Sequence, residues 1–382
     1  MCSSDLLQNL TLLNLPSGFR LSSNPAVAAR QQLALNYLTP RARSYLQTFD
    51  EDPYFAKIDW HIAPSQRLSA RWNSVRFRNA NGRTSGPQNS IEHTGDGDTD
   101  NDALAVSLTT TVSSGLVNVA RFNYLRLDLR GESNSVNPRA DIFEGGQLVL
   151  TIGRSVAEPF RTSFHQSGWA DTLSLSRGHH ALKFGVDVLL SWNTLFAAQN
   201  FSGNYRFNSL ESFGSSLAGT PAPRPGETYI QAFSGEGSPG VAAYPHSTEF
   251  AAFAQDEWRV RPNLTLTFGL RYDVQVMAKP PVKNPALGAR SLDTSFIPLD
   301  GNNFAPRFGF AWSLLRSQRL VMRGGYGLFY GWLRGGDGGP CPYPERCQRS
   351  NAYFHARYSL RRLDPFLPEH SLRAPGTLGS AA

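Results

Sequence analysis

The chain has 382 residues, 40% of them hydrophobic and 12% aromatic, with a formal net charge of +7 and only three cysteines. A mean hydropathy of -0.33, with no apolar run near the length of a spanning helix, excludes a helical membrane protein but leaves a transmembrane barrel open, since half of a barrel wall is polar. The arginines are scattered rather than massed, which excludes a nucleic-acid face, and the cysteine spacing fits neither a disulfide framework nor a zinc site.

The first 53 residues read as a loop leading into the strands, with mild helical spacing from Pro25 to Leu46 that predicts a short loop helix. Strand patterns then come in pairs. Tyr54 to Ile62 alternates Ala56, Ile58, Trp60 and Ile62 with Phe55, Lys57, Asp59 and His61, and turns at Ala63-Pro64-Ser65-Gln66 into Arg67 to Phe77. Ala103 to Val112 turns at Ser113-Ser114-Gly115 into Leu116 to Arg130. In that return strand Phe122 and Tyr124 share one face while Leu125, Leu127 and Leu129 take the other, so either a bulge or an exit from the membrane is expected near Tyr124.

A third pair, Ser167 to Arg177 and His179 to Trp192, turns at Gly178. A fourth joins Phe250 to Val260 with Asn263 to Gln275 through Arg261-Pro262-Asn263. In the last strand Leu264, Leu266, Phe268, Leu270, Tyr272 and Val274 oppose Thr265, Thr267, Gly269, Arg271, Asp273 and Gln275, a period of two over a length sufficient to cross a bilayer at a tilt. The fifth pair runs from Arg307 to Leu314, turns near Ser317-Gln318, and returns from Leu320 to Trp332.

The pairs are joined by long connections rich in Gly, Pro, Asn and Ser, at residues 78–102, 131–166, 193–249 and 276–304. Alternation of short turns with long loops predicts an all-β, antiparallel, up-and-down transmembrane β-barrel with periplasmic turns and extracellular loops. From Gly335 to Ala382 the alternation vanishes. This tail, residues 334–382, is read as a shifted or misjoined reading frame, to be checked by looking for the barrel pattern in another frame of the genomic DNA after Trp332.

Several residues are candidates for function. Lys57, Asp59, Arg71, Lys183, Asp187, Arg271, Asp273 and Arg307 alternate with apolar positions and so face the lumen, where they line a substrate path, contact a plug, or form a solvated wall. Trp60, Trp72, Trp192, Trp258 and Trp312, with Trp169 and Trp332, are candidates for the aromatic girdles at the bilayer interfaces. The run His93 to Asp102 offers oxygen ligands at alternate positions like the start of a calcium loop, but no Glu closes it, and a solvated extracellular loop is the better reading. His179 and His180 point to opposite faces and share no site. No nucleophile elbow, zinc-protease helix or phosphate loop is present, so neither an enzyme nor a cofactor is expected.

Six fragments carry a family resemblance. They are Phe55-Ala56-Lys57-Ile58-Asp59-Trp60 with Arg71-Trp72-Asn73; Leu116-Val117-Asn118 with Arg121-Phe122-Asn123-Tyr124; His179 to Gly185; Phe253-Ala254-Gln255-Asp256-Glu257-Trp258-Arg259-Val260; Pro262 to Asp273; and Asn303-Phe304-Ala305-Pro306-Arg307-Phe308-Gly309. In this order they resemble the barrel of TonB-dependent outer-membrane receptors of the Oar-like group. The resemblance implies about ten strands, residues 54–333, of a barrel of about 22, set in outer-membrane lipid and plugged by an N-terminal domain. It also implies energised transport of a large or scarce substrate through the TonB complex. Signal peptide, regulatory domain, plug and terminal strands have no counterpart here, so energy coupling is not assigned to this chain, and an open sheet of ten strands is expected not to insert stably alone. A non-transporting barrel in adhesion or envelope structure is the alternative, a soluble β-sandwich the alternative fold. The substrate is not legible.

Overall fold

The computed structural model describes residues 7–9, 13–234, 242–279, 297–314 and 320–331. The expected atypical tail, Trp332, the turn near Ser317-Gln318 and both Cys341 and Cys347 lie outside the described residues. In chain order the elements are β1 (Leu7–Asn9), α1 (Pro25–Leu38), β2 (Tyr45–Ala63), β3 (Gln66–Arg83), β4 (Gly95–Ser113), β5 (Leu116–Ser133), β6 (Arg139–Glu144), β7 (Gln147–Ile152), β8 (Phe160–Arg177) and β9 (His180–Ala197). They continue with β10 (Asn204–Phe207), α2 (Leu210–Leu217), β11 (Thr228–Ile230), β12 (Ala242–Ala243), β13 (Ser247–Arg261), β14 (Leu264–Met277), β15 (Asn303–Ser313) and β16 (Val321–Gly327).

Ten of these strands form one antiparallel sheet in the order β2-β3-β4-β5-β8-β9-β13-β14-β15-β16, with β1 added beside β2 and β12 beside β9. Each hairpin is displaced along the strands in the same sense. Gln66 pairs with Thr110 while β4 runs on to Ser113, Leu116 pairs with Leu175 while β8 runs on to Arg177, and His180 pairs with Trp258 while β13 runs on to Arg261. A stagger of roughly two to three residues per two strands corresponds to a tilt of roughly 35–45°, the tilt of a barrel wall. Among the described residues the sheet does not close, and β16 is left as an edge.

Strand lengths correct the sequence reading at one end only. The short turns fall where expected, but β2 begins at Tyr45 rather than Tyr54, β4 at Gly95 rather than Ala103, and β8 at Phe160 rather than Ser167. Pro53 looks like a breaker, yet it sits on a strand whose other neighbour reaches only Gln47, so its missing N–H costs no ladder bond there. The last strand is shorter than expected, with β16 ending at Gly327.

At this tilt about ten residues cross an apolar band of roughly 25 Å, so strands of 18 and 19 residues stand well above it on the long-loop side. The outer face records the boundary. Leu68, Ala70 and Trp72 on β3 pair with Leu108, Val106 and Leu104 on β4, and the next outward pairs are Ser74 with Asp102, Arg76 with Asp100 and Arg78 with Asp98. On β5 the outward series passes from Phe122 and Tyr124 to Arg126, Asp128 and Arg130, with no register shift against β8. Of the two expectations at Tyr124 the bulge is not found, since the pairing with β4 and β8 runs through without a shift there. Leu125, Leu127 and Leu129 turn inward because polarity inverts once the outer face meets water.

Exposed apolar side chains concentrate on the outer face: Ile58, Trp60, Trp169, Val186, Phe268, Leu270 and Phe308 are all exposed. Among the described residues no helix is long and apolar enough to cross a membrane. Replacing Val186, near the middle of β9, by arginine is expected to cost about 2–4 kcal/mol of folding stability in a bilayer. Exchanging Lys183 for methionine on the opposite face is expected to cost far less, and urea titration of folding into vesicles checks both.

The long connections are not structureless. A second, mixed sheet in the order β11-β10-β6-β7, with β10 parallel to β6, forms from the β5–β8 and β9–β13 connections. Helices α1 and α2 cover it. Its core is the fully buried set Ala34, Leu38, Ile142, Leu150, Phe207 and Phe213 with their neighbours. Asn24 caps α1 by accepting from the Ala26 amide, and the Ser209 hydroxyl accepts from the Ser212 amide at the start of α2.

Candidate functional site: the inner wall and its loop module

The register places all eight lumen candidates on the face opposite the exposed apolar band. Lys57 lies across from Arg71, Lys183 across from Gln255, and Gln255 and Arg307 both flank Gly269. The fold gathers them into two groups. On β2 and β3, Asp59 takes Lys57 at 2.7 Å and Arg67 at 3.3 Å. On β9 and β14, the Arg271 guanidinium bridges Asp187 at 3.1 Å and Asp273 at 2.9 Å, across Ala251, whose methyl is small enough to leave them in reach. Arg307 instead stacks over the Phe329 ring at 4.5 Å.

The six described tryptophans share the outer face and are 38–57% exposed. They fall at two levels. Trp60, Trp258 and Trp312 flank the short turns, and Trp258 stacks on His180, whose ring pairs with Asp256 at 2.7 Å. Trp72 and Trp169 lie in or next to the last apolar row below the charged outer surface, and Trp192 pairs with His165 at the same border.

The expectation of a solvated loop over His93 to Asp102 is corrected. Residues 95–102 are the start of β4, and Asp98, Asp100 and Asp102 point outward, where Arg78 pairs with Asp100 at 2.6 Å and Arg76 with Asp102 at 2.9 Å. Strand geometry spreads the carboxylates along one face at two-residue steps instead of curling them round an ion. His93 is likewise no surface ligand. It is buried, with its Nδ1–H donating to the Gly153 carbonyl at 3.0 Å.

That histidine is one of several clamps between the β3–β4 connection and the module. The Ser90 amide donates to Thr151 at 3.0 Å, the Thr151 amide to Gln88 at 2.8 Å, and Arg83 meets the fully buried Glu158. Burial, and then the nearby Arg139 charge, lower the His93 pKa to about 4 from an ordinary 6.5. The folded state therefore takes up the proton later than the unfolded one, so this contribution to stability is complete above pH 6.5 and is lost as pH falls towards 4. Proteolysis of the module is expected to accelerate across that window, by roughly 3 kcal/mol of lost protection at the acid end, and the His93→Phe variant is expected to show a flatter profile.

Sequence reasoning missed this module. The signal was a Gly-Gly hairpin, Glu144-Gly145-Gly146-Gln147, between two apolar runs. Both glycines have positive φ, 57° and 81°, as a tight hairpin turn of that kind requires.

A tilted, staggered, antiparallel sheet with an apolar band outside, charges inside, short turns at one rim and a folded module at the other is an outer-membrane β-barrel wall. The chain belongs to the outer membrane beta barrel domain family, which it matches over residues 9–362, and it resides in the outer membrane of a Gram-negative bacterium. Among solved structures it is similar to the outer membrane transporter YddB from Escherichia coli, at 13% identity and a TM-score of 0.48 over 76% of this chain and 33% of that one. It is also similar to the alcaligin outer membrane receptor FauA from Bordetella pertussis, at 10% and 0.42 over 72% and 35%. A third similar structure is the siderophore receptor PirA from Pseudomonas aeruginosa, at 13% and 0.38 over 74% and 35%. The chain thus spans about a third of the length of these structures. No protein of curated function matches it in sequence.

Proposed function

We propose that this chain forms part of the wall and mouth of a TonB-dependent, Oar-like transport barrel that moves a large or scarce substrate across the outer membrane. The observation that carries this reading is the asymmetry of the wall. Its inner face holds Lys57, Asp59, Arg71, Lys183, Asp187, Arg271, Asp273 and Arg307 as polar lining, and its two rims differ, with short turns at one and a folded module at the other. In this reading the tryptophans form the two girdles, a plug domain occupies the lumen, and TonB supplies the energy. Uptake by cells carrying the complete gene, compared in strains with and without TonB, tests it: energy-dependent uptake that disappears without TonB is expected, and an equal rate in both strains would sink the proposal. The folded module also suits a display role, and a barrel serving adhesion or envelope structure would reach the outer membrane yet show no energised uptake.

A further inference from the structure

We infer that the inner wall carries a subsite for an acidic sugar, a polyhydroxylated ring bearing one carboxylate. The inference rests on the transport reading and names its substrate class. A hollow of about 210 Å3 opens on the inner face where Arg71, Asn123, Gly168 and Leu189 fall in one row across β3, β5, β8 and β9. Asn73 and Gln166 line the next row.

Ala103, Ala105, Leu125 and Leu189 supply apolar lining, and three amides stand among them. Asn73 and Asn123 each present a donor and an acceptor on one amide, and Gln166, whose Nε2 already donates to the Ser191 hydroxyl at 3.2 Å, adds its carbonyl oxygen, a complement to sugar hydroxyls that also donate and accept. Arg71 is exposed and makes no ion pair among the described residues, while Lys57 opposite it is already held by Asp59 at 2.7 Å. A planar guanidinium left open in this way matches one carboxylate by two parallel hydrogen bonds. A phosphate site would gather several cations, and the neighbouring Lys57 and Arg67 are both engaged by Asp59.

Two further features fit a sugar ring. Phe55, directly opposite Asn73, leaves 65% of its surface exposed, which adds an apolar platform beside the amides to the one Leu125 and Leu189 give within the hollow. Gly168 forms the floor. A Cβ there would meet Leu189 at 3.5 Å and Asn123 at 3.8 Å, ordinary contacts, so the glycine is not required by packing and its small size serves the hollow.

The test uses outer-membrane vesicles from cells carrying the complete gene, with a fluorescent trimer of galacturonic acid as probe and maltotriose as neutral control. Arg71→Met is expected to weaken the acidic trimer at least tenfold and to leave maltotriose unchanged, whereas Gly168→Ala, whose added Cβ meets only ordinary contacts and narrows the hollow, weakens both. Equal binding of the acidic trimer to the Arg71→Met and unaltered vesicles, or competition by inorganic phosphate as effective as by galacturonate, would overturn the inference. The two readings fail separately. Loss of sugar binding with TonB-dependent uptake of another solute intact defeats the subsite alone, and sugar binding without energised uptake defeats the transport reading alone.

Discussion

Replacing Gly214 by alanine is expected to pry α1 away from α2 and unfold the loop module while the barrel strands stay paired. A Cβ at Gly214 would lie 1.9 Å from the carbonyl oxygen of Arg30 and 2.6 Å from its carbon. Those are backbone atoms of α1 and cannot swing aside, so the helix must retreat. Retreat opens the core in which Ala34 and Leu38 of α1 meet Leu210 and Phe213 of α2, all fully buried. Overpacking typically costs about 1–3 kcal/mol, and an obstacle made of backbone places this case at or beyond the upper end. The sign is diagnostic, because alanine is a better helix former than glycine by roughly 1 kcal/mol. An isolated α2 peptide is expected to gain helix from the same change. Amide exchange across 25–38 and 210–217 checks the result, and unchanged protection there would show that the helices do not cross this closely.

Removing the guanidinium of Arg83 is expected to be as damaging, for an electrostatic reason. Glu158 has no exposed side-chain surface, its Oε1 is met by Arg83, and its Oε2 has no partner among the described residues. Arg83 is held in turn over the Phe160 ring at 4.2 Å. In Arg83→Met the carboxylate stays buried without its charge partner, at a cost of about 3–5 kcal/mol. The double variant Arg83→Met, Glu158→Leu is expected to recover most of that loss, since an apolar pair of similar volume avoids desolvating two charges. Thermal unfolding of the two variants in detergent measures the difference. A double variant no more stable than Arg83→Met would mean that the pair acts through shape rather than charge.

Much of the wall was legible in the residues because a barrel strand is specified locally. Leu264 to Gln275 alternates so regularly that its face, its span and its partners follow from the pleat, and the short turns at Ala63 to Gln66, Ser113 to Gly115 and Gly178 carry their own chemistry. That the eight charged positions share the face opposite the apolar one was readable for the same reason. The long-loop side was harder, because above the bilayer the alternation persists with its polarity inverted. Asp98, Asp100 and Asp102 read as part of a solvated loop, yet they belong to a strand, and their arginine partners Arg76, Arg78 and Arg126 come from neighbouring strands. Which of the inner charges meet was also not readable: Arg271 reaches Asp187 only because β13 brings the small Ala251 between β9 and β14.

The sequence by itself determined the period-two wall, its apolar and polar faces, the short turns and therefore the outer-membrane class, all properties of residues near one another in the chain. The tertiary structure alone decided the mixed sheet of the module, whose β6 and β10 pair in parallel across more than a whole hairpin, the Arg83–Glu158 clamp, and the row joining Arg71, Asn123 and Gly168. Those depend on contacts between segments far apart in sequence, and no local pattern records which distant strand will supply the partner.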